Sequence, residues 1–251
     1  MHRYLFVIAI LSLFLSAAQI SSAELAPSCG DEVWQGATYT ICRFDPAKET
    51  IRIYNKRTDG TPYGNFDSLI QGLWQEHHIL TVAMNGGMYE DDLSPAGLFM
   101  EYGQIRHPAN LRDGWGNFHL KPNGVFYVAA DKAGVMETSA FLAQVGRADF
   151  ATQSGPMLVI DGKIHPRFLP DSDSLKIRNG VGVDVNGQVF FAISQGPVRF
   201  FDFATLFRDR LKTPNALFLD GSISSLAIPE QGRIDRGFPL GVIIAVIGTR
   251  P

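Results

Sequence analysis

Asp220 stands at the end of an apolar run, NALFLD (residues 215–220), and is followed by Gly221 and then by three serines in four residues. A carboxylate at the end of a buried strand, beside backbone that turns freely, suits a nucleophile or a base acting on water. The same letters also suit an ordinary hairpin turn, because Asp-Gly is a favoured turn dipeptide. Two other stretches share the plan. Asn85 closes ILTVAMN before Gly86-Gly87, and Gln153 sits in DFATQSGPMLVI just before Ser154-Gly155. Ligand sites often gather at strand ends, on loops held by a rigid sheet. Three polar residues placed this way favour a shared pocket over three unrelated turns.

Other residue types supply candidate partners. Arg178, in KIRNGVGVDV, precedes Asn179-Gly180 and a strand; its planar guanidinium suits phosphate or carboxylate, and equally a surface position. GNFHLKPNGVFY brings His119, Lys121 and Asn123 between aromatic segments, with Lys121 as a second candidate anion contact. Glu90, Asp91 and Asp92 form an acidic loop, which is either solvated surface or the source of a second catalytic carboxyl, Glu90, or of ligands for a divalent ion. The common hydrolase and nucleotide signatures H-E-x-x-H, G-x-S-x-G and the Walker loop are absent from the sequence, and the six histidines are not at zinc-ligand spacing. No cofactor and no bound metal is demanded.

The elements that must hold these residues are mostly strands. TYTICRF, TIRIYN, ILTVAM, GLFMEY, GVFYVA, PMLVI, GVGVDV, QVFFAIS, ALFLD and GVIIAVIG all read as strands, the last as one buried on both faces. Three helices are expected. One starts around Asn65–Ser68 and carries Leu69, Ile70, Leu73 and Trp74, one is capped by Thr138 or Ser139, and one is capped by Asp202. The expected fold class is α+β, a strand-rich mixed sheet with a few helices, in a single domain over residues 28–251.

Composition narrows the setting. The chain has 251 residues, 45% of them hydrophobic, and a formal net charge of −3, with no basic run that would suit nucleic acid. Residues 1–23 combine Arg3, an apolar run too short to span a membrane, and a Ser-Ser-Ala end, the pattern of a cleaved signal peptide. That places the protein in the periplasm or outside the cell, with no stable membrane span after cleavage. The only two cysteines, Cys29 and Cys42, are then expected to form a disulfide.

Four motifs in order carry a resemblance: AMNGGMY (83–89), TQSGPMLV (152–159), IRNGVGV (177–183) and LFLDGSISS (217–225). Together they resemble the phosphodiester glycosidase family, which includes a lysosomal enzyme that removes N-acetylglucosamine from mannose 6-phosphate diesters. The resemblance spans about residues 79–226 and is nearest to an exported bacterial branch. It implies an exported hydrolase that cleaves a sugar 1-phosphodiester at the anomeric carbon, through an oxocarbenium-like transition state. The substrate would be a GlcNAc-1-phosphodiester-like linkage of envelope or exopolysaccharide glycans. By the same resemblance Asp220 supplies the carboxylate, with Glu90 as the second. Asn85, Gly86, Gly87, Lys121, Gln153, Ser154, Gly155, Arg178, Gly221, Ser224 and Ser225 bind phosphate or sugar. The family's last motif usually reads Asp-Gly-Gly-Gly-Ser-Ser; here Ser222 and Ile223 replace two of the glycines. Two other readings stay open: a non-catalytic module that binds phosphorylated glycans, and a phosphodiesterase that breaks P–O.

Overall fold

A computed structural model describes residues 29–250. The signal peptide expected over residues 1–23 lies outside the described residues. The strand-rich α+β class is observed, but where a mixed sheet was expected, the named ladders are antiparallel and fall into three sheets. The first has seven strands, in the order Cys29–Trp34, Ala37–Phe44, Val189–Ser194, Asn179–Val183, Asn215–Phe218, Met157–Ile160 and Lys163–Ile164. The second has five: Arg233–Ile234, Leu226–Ile228, His78–Asn85, Ile243–Thr249 and Thr50–Tyr54. The third also has five: Gln104–His107, Phe99–Glu101, Phe150–Ser154, Gly124–Ala129 and Lys132–Glu137. One buried cluster takes Phe191 from the first sheet, Val82 and Ile244 from the second and Phe126 from the third, so all three face a common core.

Alternation explains how the apolar runs are used. In Ile243–Thr249, Ile244 and Val246 enter the common core, while Ile243, Ala245 and Ile247 face a second cluster with Phe66, Leu69 and Leu73. A strand covered on both sides reads as a continuous apolar run. Asn179–Val183 works differently. Val181 and Val183 point into the common core. Gly180 and Gly182 face the helical segment after residue 199, where a Cβ on Gly182 would lie 2.7 Å from the Phe207 ring. The glycines let that segment approach the sheet.

The helices are placed close to expectation, with three corrections. Asn65 caps Phe66–Gln75 by accepting from the Ser68 N–H at 2.8 Å, but Trp74 points outward, under Arg250 at 4.3 Å. Glu137, and not Thr138 or Ser139, caps Thr138–Gln144, because its longer carboxylate reaches the Ala140 N–H. The third helix begins at Phe200, ahead of Asp202, and continues from Leu206 to Arg210 as a π-helical turn. Cys29 and Cys42 are disulfide-bonded and stand opposite each other in the first ladder. Among the described residues no helix is long and apolar enough to cross a membrane.

Candidate active site

The segment 85–87 touches all three sheets. Asn85 ends the strand His78–Asn85 of the second sheet and is fully buried. Its side-chain amide donates to the Asp220 carbonyl at 2.8 Å. Its own Oδ1 accepts from the Ser225 N–H and from Asn179 Nδ2, both at 2.9 Å. Asn179 opens a strand of the first sheet and also donates to the Asn85 carbonyl at 3.1 Å. The Asp220 N–H donates to the Gly86 carbonyl at 3.2 Å. Gly87 packs on the third sheet so closely that a Cβ there would collide with Gln153 O and Thr152 Oγ1. Buried amides of this kind hold a backbone only if each donor and acceptor is used. Here they lock the end of one strand to the start of another.

Asp220 itself is treated differently from its neighbours. Its backbone is held at both ends, by Gly86 and Asn85, whereas among the described residues its carboxylate accepts only the Ser222 N–H, at 3.3 Å. No salt bridge joins it to a cation among the described residues. Burial pushes its pKa up, opposed only by that backbone N–H. Its charge also reaches Tyr89, whose phenol is held protonated by burial first and by Asp220 second. Tyr89 lies over Gly241 and donates to the Pro239 carbonyl at 2.6 Å.

The replaced glycines of the last motif find ordinary places. Ile223 is buried in the cluster with Leu69 and Leu73, and Ser222 is exposed and donates its N–H to Asp220. Neither has a positive φ, and neither does Gly221, so the turn does not depend on glycine at these positions. Gly221 is needed instead because a Cβ would strike the Phe218 ring. Ser225 is buried and donates its hydroxyl to the Ile223 carbonyl at 2.6 Å. The Ser224 hydroxyl lies 3.2 Å from Asn179 Oδ1 and 3.0 Å from the Gly221 carbonyl.

Other expected residues are occupied elsewhere. Gln153 is buried, and its amide is spent on the chain: Oε1 accepts from the Leu98 and Asn110 N–H groups, and Nε2 donates to the Asn110 carbonyl. Gly86 has committed its N–H to the Val242 carbonyl at 2.7 Å. Gly155 packs against Asn123 and the Phe118 carbonyl. Ser154 is fully buried, with a hydroxyl that has no hydrogen-bond partner among the described residues. Lys121 pairs with Asp113 and donates to the Leu111 carbonyl, and His119 lies against the Arg112 carbonyl, so both tie down the loop before them. Glu90 is exposed and lines a shallow pocket with residues 107–112. Among the described residues no group of three or more His, Cys, Asp or Glu is placed to hold a metal, so the 90–92 loop lacks a ligand set.

Arg178 is 2% exposed. Its guanidinium carbon sits 3.5 Å over the Phe200 ring, Nε donates to the Val198 carbonyl and Nη2 to the Ser174 carbonyl. Nη1 has no protein acceptor among the described residues. Burial lowers its pKa to about 10, which leaves it charged at neutral pH. Asn179 and Tyr89 are the residues that sequence reasoning passed over. Each stands inside a quoted motif, but only as the neighbour of a more reactive type.

Three antiparallel sheets around one core, with a partly buried carboxylate beside the segment that joins them, make a β-rich scaffold. A family model described as phosphodiester glycosidase matches residues 78–239, and the chain belongs to that family. The uncharacterized protein YigE of Escherichia coli (strain K12) is 39% identical over 198 residues, 77% of this chain and 76% of that protein. Among solved structures, the catalytic domain of zebrafish N-acetylglucosamine-1-phosphodiester alpha-N-acetylglucosaminidase, auto-inhibited by its pro-peptide, aligns with a TM-score of 0.61 at 14% identity, over 89% of this chain and 84% of that one. A hypothetical protein from Synechocystis aligns with a TM-score of 0.56 at 15% identity, over 87% of this chain and 61% of that one. At such identities the likeness is one of fold.

Proposed function

We propose that this protein is an exported hydrolase that cleaves the glycosidic bond of sugar 1-phosphodiesters, of the GlcNAc-1-phosphodiester type found in envelope or exopolysaccharide glycans. The observation that carries this reading is Asp220: a carboxylate with a rigidly held backbone, no paired cation among the described residues and a pKa raised by burial, at the meeting point of the family motifs. A carboxylate with this much burial costs free energy that a cationic partner would offset. An unpaired one is poised to attack the anomeric carbon, directly or through a water. The departing phosphate monoester is a weak base, so the reaction asks little of a second carboxyl. Arg178 Nη1, which has no protein acceptor among the described residues, is the donor this reading assigns to that phosphate. Export is supported by the Cys29–Cys42 disulfide, since such bonds persist in oxidising compartments.

The test is release of N-acetylglucosamine from UDP-N-acetylglucosamine and from a panel of GlcNAc-1-phosphodiesters, with Asp220→Asn as control. Release by the wild type, reduced at least about 100-fold in the variant, is expected. Folded wild type that releases no sugar from any member would overturn the reading. Hydrolysis in ¹⁸O water should label the sugar; label in the phosphate would replace glycosidic cleavage with P–O cleavage.

A further inference from the structure

A cavity of about 610 Å³ shares no lining residue with the Asp220 cluster, although Pro95 on its wall is bridged to Tyr89. Tyr54, Tyr63, Tyr102, Glu76, Glu101 and Arg106 are among the side chains around it. They come from four places: the end of the strand Thr50–Tyr54, the segment before the helix Phe66–Gln75, that helix's C-terminus, and the hairpin of Phe99–Glu101 with Gln104–His107. A volume of roughly 300–1,000 Å³ is that of a small-molecule site.

Two observations point to a ligand there. Tyr54 is 2% exposed, and its hydroxyl lies near the Arg52 side chain but has no hydrogen bond of normal geometry among the described residues. A buried unpaired hydroxyl is rare, because it has given up water for nothing. Tyr102 is the second. It is 55% exposed and sits with φ +49° in a two-residue turn with Gly103, at φ +74°. Asn, Asp or Gly normally fills such a place, and a bulky side chain there is an outlier. The turn nonetheless presents the Tyr102 ring at the cavity, braced edge-on by Phe150 at 5.1 Å and flanked by Arg52 at 5.8 Å.

The charges set the ligand class. The lining carries three cationic side chains, Lys56, Arg57 and Arg106, against Glu76 and Glu101. Arg57 is already committed to the Pro62 carbonyl, Thr61 and Ser68, and Arg106 reaches Glu101 at 3.8 Å. Cations and carboxylates are interspersed around the wall, with an excess of one cation, so no field of a single sign singles out a phosphate or an amine. Tyrosine rings offer flat apolar faces to C–H groups, and hydroxyls, carboxylates and a guanidinium offer both donors and acceptors. We propose that this cavity is a second binding site, for an uncharged saccharide ring, distinct from the Asp220 centre. Burial pushes the Glu101 carboxyl up, against the pull of Arg106, so it is suited to sharing hydrogen bonds with sugar hydroxyls. The site does not depend on the chemistry proposed for Asp220.

Titration calorimetry of the purified protein with N-acetylglucosamine, glucose, mannose and inorganic phosphate tests this. At least one sugar should bind. Tyr102→Asn should weaken that binding at least tenfold without lowering the melting temperature, because Asn-Gly suits the turn better than Tyr-Gly. Tyr54→Phe should weaken it at least threefold, and Asp220→Asn should leave it unchanged. Absence of binding by all three sugars would overturn the proposal. So would sugar binding lost in Asp220→Asn and kept in Tyr102→Asn, or binding of phosphate alone that Tyr102→Asn abolishes.

Discussion

The Asn179 side-chain amide donates to both oxygens of Asn85, the carbonyl at 3.1 Å and Oδ1 at 2.9 Å, and so joins the seven-stranded sheet to a five-stranded one. Both residues are fully buried. Removing the Asn179 side chain takes one of two donors from Asn85 Oδ1, and removing the Asn85 side chain leaves the Ser225 N–H and the Asp220 carbonyl without their partner. Asn179→Ala and Asn85→Ala should each cost about 1–3 kcal/mol. The double variant should cost less than the sum, with a coupling of about 0.5–3 kcal/mol. Urea unfolding of the four proteins measures this, and strict additivity would show that the pair does not join the sheets.

Asp220 gives a prediction with a defined sign. Its folded pKa is raised by burial, so the folded state holds the proton more tightly than the unfolded chain does. The stability associated with the neutral form is fully present below the unfolded carboxylate value, about 3.9, and is lost as pH rises through the folded pKa. Asp220→Asn, which stays neutral, should therefore be more stable than wild type at pH 7, and this gain should disappear on acidification. Denaturant midpoints of both proteins across that range test it; a variant less stable at pH 7 would mean that the carboxylate has a stabilising partner. The acid limb of sugar release should also lie above the ordinary carboxylate range.

Gly87 is tightly constrained. A methyl group there meets the Gln153 carbonyl and the Thr152 hydroxyl of the third sheet, and a backbone carbonyl cannot swing aside as a flexible side chain can. Gly87→Ala should destabilise by about 2–3 kcal/mol, read from thermal or urea unfolding. Gly103→Ala is not an equivalent control, because Gly103 has φ +74°. Gly30→Ala is, since nothing lies within 4 Å of its added Cβ, and it should change stability little.

The Cys29–Cys42 disulfide links residues 13 apart in sequence that already face each other in the ladder. Replacing both cysteines by serine should cost about 3 kcal/mol, chiefly by freeing the unfolded chain. A reductant should lower the melting temperature of wild type to that of the double variant. Equal melting temperatures with and without reductant would show that the bridge adds no stability.

The strands built on an apolar run were legible because their signal is local, whereas Cys29–Trp34, Gln104–His107 and Lys132–Glu137 were not. GVIIAVIG is apolar throughout since both of its faces are covered, and the glycines of NGVGV alternate because a helical segment lies on that face alone. The helix start around Asn65–Ser68 and the disulfide were legible for the same kind of reason, a short-range rule with one physical cause. The site was legible only in part. Asn85, Gln153 and Asp220 share a sequence pattern, yet Asn85 and Asp220 are joined by a hydrogen bond while the Gln153 amide turns to Leu98 and Asn110. Asn179 and Tyr89 carried no signal of their own, because their importance lies in partners 94 and 150 residues away.

By itself, then, the sequence determined which apolar runs are strands and which family motifs occur, since periodicity and motif order are properties of neighbouring residues. Only the tertiary structure decided which polar groups are spent and which are left over. The Gln153 amide is used up within the chain and the Asp220 carboxylate is left open to solvent, and that difference depends on which sheet edges meet, which is settled by the packing of three sheets around one core.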